Sequence, residues 1–282
     1  MVTGDRPQLD LLPSAEVVGL LLDAEARVVP AVRAVAGQLA AGADLIAARL
    51  AAGGRLLFAG AGTSGRIAAA EAAELPGTFG LDRHRVGWRI AGGSDSTDSA
   101  EDDLTGAERD IASLACTPAD VLVAVAASGS TPYTLALADA ARQAGAAVIA
   151  VVTVAGSPLT ERAEVAIAPD PGPEVLRGSS RLTAGTAQKV ALNALTTAAM
   201  ARWGRVHGDL MVDVVPANAK LRQRAAGIVA EIAGVGPDEA AEALRRCADD
   251  ARAAVLVLAA GLDPAAARQR AAAHRSLREA LG

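Results

Sequence analysis

The sequence predicts a doubly wound α/β fold: a five-stranded parallel sheet, helices ahead of it and a small helical module after it. Three observations carry this. Short apolar runs alternate with helix-length segments from about residue 54 to residue 203. Two of those runs end in turns of glycine, serine and threonine, Gly60-Ala-Gly-Thr-Ser-Gly65 and Ser128-Gly-Ser-Thr-Pro132. Aromatic residues make up 2% of the 282 positions while 51% are apolar, so alanine, valine and leucine must fill a sheet covered on both faces.

The elements follow in order. Pro13-Ser14 with Glu16 reads as a helix start with Ser14 as N-cap, and a helix over 15–29. Pro30 is expected to open a second helix reaching Ala52, stopped by Gly53-Gly54. Strands are predicted at 55–60, 86–91, 121–126, 147–153 and 164–168. A helix from Ser64 to Ala73 is expected to break at Pro76-Gly77. A polar, acidic loop over 94–103 leads into a helix to Ala115; further helices run 132–144, with Gly145 as cap, and 181–203. Pro169-Asp-Pro-Gly-Pro173 is a rigid crossing segment. The expected domains are N-terminal helices over 1–53, the sheet domain over 54–233, and short helices over 234–282.

Charge and composition narrow the function classes. The net charge is −5 with no basic block, which argues against nucleic acid as a partner. Cys116 and Cys247 lie far apart and read as reduced, packed thiols. Met1 to Leu12 is mixed polar and does not read as a signal peptide, and no apolar run has membrane-spanning length, so a soluble cytoplasmic protein is expected. His84, His207 and His274 show no ligand spacing, so no metal is expected.

The two turns carry the chemistry. Each offers backbone N–H groups, hydroxyls and a helix N-terminus to an anion, at the strand ends where doubly wound sheets bind ligands. Gly60-x-Gly62-x-x-Gly65 also matches the dinucleotide fingerprint, but Gly92-Gly93 stands where a ribose-holding acid belongs. Two hydroxyl-rich turns in one sheet point instead to a phosphorylated small molecule, with Thr63, Ser64, Ser128, Ser130 and Thr131 as the phosphate ligands. Glu74 lies among alanines ahead of Pro76, where burial would raise its pKa and suit a general acid. Glu101, Asp102 and Asp103 read as solvated helix-start charge.

Further segments resemble one family. Gly60 to Arg66 and Glu74-Leu-Pro-Gly-Thr-Phe-Gly80 are similar to the signature of the N-acetylmuramic acid 6-phosphate etherases. So are Ile90-Ala-Gly-Gly93, Ala100-Glu-Asp-Asp103, Ala126 to Tyr133, the block Gly172 to Lys189, Asn193, Gly208 to Asp213 and Pro216 to Leu221. The resemblance spans nearly the whole chain. It implies the flavodoxin-like sugar isomerase (SIS) fold, no cofactor, a homodimer with sites near the subunit interface, and a place in cell-wall recycling. The implied reaction cleaves the C3 lactyl ether of N-acetylmuramic acid 6-phosphate, giving N-acetylglucosamine 6-phosphate and D-lactate.

The resemblance also implies roles. Glu74 aligns with the family's acid, which protonates the departing lactate. The family's second glutamate falls at Asp98, one methylene and so about 1.5 Å shorter; Asp95 or Glu101 are the other carboxylates in reach of that role. Glu174 is assigned to the sugar hydroxyls or to ring opening. Lys189 is either an ion-pair partner or a ligand, and Thr183 stands where lysine is commoner. A sugar-phosphate isomerase and a non-catalytic sugar-phosphate sensor on the same fold are the alternative readings.

Overall fold

A computed structural model describes residues 7–93 and 98–282; Asp95 and the side chain of Asp98 lie outside the described residues. The five strands are β1 (Leu56–Gly60), β2 (Val86–Ile90), β3 (Val121–Val125), β4 (Ala147–Val151) and β5 (Val165–Ile167). All pair in parallel in the order β2-β1-β3-β4-β5. That order reverses between β1 and β3, which places the topological switch point at the ends of the two strands that carry the hydroxyl-rich turns.

Side-chain alternation along each strand divides the core. Leu56, Phe58, Val123 and Ile149 face α3 (Ala36–Ala51), α4 (Gly62–Phe79) and α7 (Thr183–Trp203). Leu57, Ala59, Leu122 and Val148 face α5 (Leu104–Leu114) and α6 (Pro132–Gln143). Small residues let the helices approach closely. A Cβ on Gly42 of α3 would come within 2.9 Å of Leu195 Cδ1 on α7.

Several element boundaries differ from expectation. The first helical stretch divides into α1 (Ser14–Glu25) and α2 (Val28–Ala34), and Pro30 lies within α2 instead of opening a helix. Pro13 is the N-cap of α1 and Ser14 its first residue, with no side-chain capping bond. Pro76 does not end α4. It removes one N–H donor near the last turn, and the helix continues until Gly80 takes φ +61° as its left-handed cap.

After α7 the chain forms α8 (Ala219–Ala233), α9 (Pro237–Arg246), α10 (Ala251–Ala260), α11 (Pro264–Ala273) and α12 (Leu277–Leu281). The sequence reading did not single out α8. Its signals are present: Asn218 accepts from the Leu221 N–H as N-cap, Gly234 closes the helix, and Leu221, Ala225, Ile228, Val229 and Ile232 fall on one face. Ile228 and Val229 pack with Leu244, Val255, Leu256 and Leu277 in one apolar cluster. The sequence boundary at residue 234 therefore falls inside this cluster.

Charged groups lock the seams. Asp120 is 1% exposed and accepts from the Arg55 N–H (2.8 Å), Arg55 Nη2 (2.6 Å), and the Thr117 N–H (2.8 Å), tying the start of β1 to that of β3. Where the sheet domain meets the C-terminal helices, the guanidiniums of Arg85 and Arg205 lie over the Trp203 ring, 5.1 and 3.9 Å from its centroid.

Burial alone would push the Asp120 carboxyl up, but the hydrogen bonds from Arg55 and Thr117 outweigh it and hold it below the usual carboxylate range. This contribution to stability is therefore present above the unfolded carboxylate value of about 4 and is lost as pH falls through the lower folded value. Asp120→Ala is expected to cost about 2–3 kcal/mol in urea unfolding at neutral pH. The gap from wild type should narrow in acid; a gap that does not narrow would show that the ionised carboxylate is not its source.

Candidate active site

Backbone contact builds the first turn. A Cβ on Gly60 would fall 2.7 Å from the Val125 carbonyl oxygen and 2.9 Å from Gly65 N, and one on Gly65 would fall 2.6 Å from the Gly60 carbonyl oxygen. Only glycine at both positions lets α4 start this close to the end of β1. The α4 N-cap is Ala61, which has no capping side chain, and Gly62 follows at φ +51°. The helix start thus has no cap from its own N-cap residue, and the Glu101 carboxylate packs against it at Gly62.

The second turn is similar in kind. Gly129 has φ +66°, and a Cβ there would meet Ser157 Oγ at 2.0 Å, so no side chain fits. Ser128 Oγ accepts from the Ser130 N–H (3.2 Å) and from Ser130 Oγ (3.0 Å). Thr131 is the N-cap of α6 yet makes no side-chain capping bond, so ordinary capping does not explain its hydroxyl. Behind the turn the buried Tyr133 donates to Asp110 Oδ2 at 2.5 Å, pinning α6 to α5.

A third segment closes the crevice. Glu174 leaves the proline-rich crossing and reaches the start of α7. Its two carboxylate oxygens accept from the N–H groups of Thr183 (3.1 Å) and Ala184 (3.0 Å). It is a remote cap for a 21-residue helix whose own N-cap, Leu182, has none. Ser128, Thr153, Gly172, Glu174, Ser179 and Ser180 line a cavity of about 320 Å³, within the small-molecule range.

The expected phosphate ligands are distributed unequally. Ser128 lines the cavity with Glu174, and the exposed Ser130 is bonded to it. Thr63 lies over the first turn of α7, with its Cγ2 3.6 Å from where a Cβ on Gly185 would stand. Ser64 is 8% exposed and points away from the cavity, donating to Gln188 Oε1 at 2.9 Å. Glu101, expected to be solvated, is half-buried, and its Oε1 is 2.7 Å from where a Cβ on Gly62 would stand. It lies three residues after Asp98 in the short turn Asp98–Asp102.

Glu74 is exposed, contrary to the burial expected from its alanine neighbours; the helix continues past it, and its side faces away from the core. It lies twelve residues beyond Gly62, about 18 Å along the helix axis from the first turn. One turn before it, Glu71 is the buried acid of this helix. It is 5% exposed, accepts from Lys189 Nζ (2.5 Å) and Thr196 Oγ1 (2.6 Å), and joins α4 to α7. Lys189 is thus an ion-pair partner here.

Sequence reasoning missed Ser179, Ser180 and Gln188. Gly178-Ser-Ser180 ahead of a long helix has the same composition as the two turns and was the available signal. Among the described residues no group of three or more His, Cys, Asp or Glu side chains is placed to hold a metal ion, and no helix is long and apolar enough to cross a membrane.

Lys189→Met leaves the Glu71 carboxylate buried without its cation and is expected to cost about 3 kcal/mol in chemical unfolding. Adding Glu71→Gln should recover most of that loss. Equal stability of the single and double variants would show that the pair does not clamp the two helices.

Comparison with known proteins agrees with this architecture. The SIS domain family matches residues 23–153. The N-acetylmuramic acid 6-phosphate etherase of Rubrobacter xylanophilus is 44% identical over 99% of this chain and 93% of its own. Those of Salmonella dublin (41%, 97% and 94%) and Deinococcus radiodurans (41%, 94% and 88%) are similar over comparable lengths. Among solved structures, a putative phosphosugar isomerase from Bacteroides fragilis superposes with TM-score 0.53 at 22% identity, covering 67% of this chain and 91% of that one. A phosphoheptose isomerase from Neisseria gonorrhoeae gives 0.52 at 18%, covering 66% and 98%. At these identities the structural likeness speaks to the fold, whereas the near full-length sequence likeness speaks to kinship. The chain belongs to the N-acetylmuramic acid 6-phosphate etherase family, built on the SIS domain.

Proposed function

We propose that this protein is a cofactor-independent carbon–oxygen lyase. It cleaves the C3 lactyl ether of N-acetylmuramic acid 6-phosphate to N-acetylglucosamine 6-phosphate and D-lactate, in the cytoplasm, during recycling of peptidoglycan. The observation that carries the reading is the pair of glycine-hydroxyl turns at the switch point, in a chain 44% identical to an etherase over 99% of its length.

The phosphate is received by the second turn, through Ser128, Ser130 and Thr131, and by the N-terminus of α4 at Thr63. Ser64 holds that helix start in place through Gln188. Glu174, fixed by the two N–H groups of α7, presents a carboxylate to the sugar hydroxyls. In the open-chain aldehyde the C2 hydrogen is acidic. A carboxylate base, Asp98, takes that proton. The C2–H electron pair becomes the C2–C3 double bond while the C3–O bond breaks. Glu74 gives its proton to the departing lactyl oxygen. Water then adds across the double bond, its hydroxyl to C3 and a proton to C2.

The reach of Glu74 supports a homodimer. About 18 Å along α4 from its own turn and exposed, Glu74 is suited to serve a crevice on a second copy of the chain.

The first test is release of D-lactate from N-acetylmuramic acid 6-phosphate by wild type and by Glu74→Gln. Lactate from the wild type alone is expected, with the variant down by at least about a hundredfold. Absence of lactate from the wild type would sink the etherase reading. Ser128→Asp, which sets a negative charge in the phosphate turn, should also be inactive. Co-expression of the two inactive chains should return activity toward about a quarter of wild type, since half the dimers then hold one intact site. No recovery in co-purified mixed dimers would show that Glu74 acts within its own chain.

A further inference from the structure

Glu174 reaches the crevice on a stretch of chain that has few bonds of its own. Pro169, Pro171 and Pro173 have no N–H to donate. Among the described residues, the hydrogen bond inside the stretch runs from the Gly172 N–H to Asp170 Oδ1 (2.9 Å). Packing fixes the stretch as far as Pro169 and Pro171, which are buried. Beyond them Pro173 is exposed, and a cavity of about 610 Å³ opens between the 173–177 stretch and Gln8, Leu9 and Leu20. Apolar contact on that side does not explain why Glu174 stands where it does.

One side chain from the N-terminal helices supplies the hold. Arg27 Nε donates to the Pro171 carbonyl (2.9 Å), and Arg27 Nη2 donates to the Pro173 carbonyl (2.9 Å). The two carbonyls flank Gly172, whose φ of +79° makes the turn between them, and a Cβ there would stand 3.4 Å from Arg27 Nε. A planar guanidinium can bridge two acceptors set this way, which a single ammonium cannot match. Arg27 is itself anchored. It is the N-cap of α2, at the break from α1, and its neighbour Val28 is 1% exposed in the core cluster that holds Leu195 of α7.

Glu174 is therefore held twice, through its backbone neighbour by Arg27 and through its carboxylate by the N–H groups of Thr183 and Ala184. Each carboxylate oxygen accepts one N–H and keeps capacity for a second donor from the crevice. Arg27 lines the cavity behind Glu174 and not the crevice in front of it, so it reaches a bound sugar only through Glu174. We propose that Arg27 is a positioning residue for sugar recognition: it holds the Pro171–Pro173 turn so that the Glu174 carboxylate stays at the crevice wall. This rests on the reading of Glu174 as the carboxylate that receives the sugar hydroxyls. It makes the N-terminal helices part of the binding machinery.

Steady-state lactate release and amide hydrogen exchange of the full chain test this together. Arg27→Met is expected to raise KM for N-acetylmuramic acid 6-phosphate about fivefold or more, with kcat within about twofold of wild type. Amide exchange at Thr183 and Ala184 should quicken by about fivefold as well, because the carboxylate that covers them is no longer held. Arg27→Lys, able to reach one carbonyl, should restore part of both effects. In a Glu174→Gln background, Arg27→Met should change KM by less than about twofold, since both act through one carboxylate. An unchanged KM, a loss confined to kcat, unchanged exchange, Arg27→Lys no better than Arg27→Met, or full additivity in the double variant would each overturn the proposal. The exchange readout needs no turnover. A wild type that releases no lactate would therefore sink the etherase reading alone; calorimetric affinity for N-acetylglucosamine 6-phosphate would then replace KM, with the same outcomes expected and excluded.

Discussion

The contact between Gly60 and Gly65 sets the rest of the molecule. Where β1 hands over to α4, the two backbones touch with no room for a single carbon on either glycine. This closeness fixes how α4 leaves the sheet, and α4 in turn fixes α7 against the same face through Ser64–Gln188 and Glu71–Lys189–Thr196. The crevice, walled by the turn after β3, the 170–180 segment and the start of α7, borders a helix whose position is set by those buried polar bonds. A side chain at either glycine would therefore act on more than the turn that bears it.

The same polar clamp explains why the core can be built almost wholly of small aliphatic residues. Alanine-rich faces slide easily, because they offer few large knobs to fix a register. The bonds from Glu71 to Lys189 and Thr196 supply direction that the apolar contact does not. Asp120 has the corresponding role at the opposite end of the sheet, where it fixes β1 to β3.

Most of the fold was legible because its signals are local. Continuous apolar runs gave the five strands, and the glycine-hydroxyl turns marked the ligand-binding strand ends before the strand order was known. Pro76 misled because proline near the last turn costs one hydrogen bond without stopping a helix that tertiary packing supports; Leu75, Pro76 and Phe79 are all buried. The α8 helix went unread although its cap and apolar face are in the sequence. At the site, residue type was readable and direction was not. Ser64 and Thr63 are adjacent hydroxyls in one turn, yet one faces Gln188 and the other the start of α7. Glu71 and Glu74 are three residues apart on one helix, yet one is buried and the other exposed. Those distinctions depend on where α7 comes to lie, and α7 begins more than a hundred residues later in the chain.

The scarcity of aromatic residues has an optical consequence. The chain has two tryptophans. Trp88, on the edge strand β2, is 40% exposed, while Trp203 is 5% exposed under two guanidiniums at the seam. The short-wavelength part of the indole emission therefore belongs to Trp203. Any separation of the sheet domain from the C-terminal helices moves charge across the face of that ring and brings water to it. The protein carries its own fluorescent gauge of how those two parts sit together, read without a label and clear of the crevice.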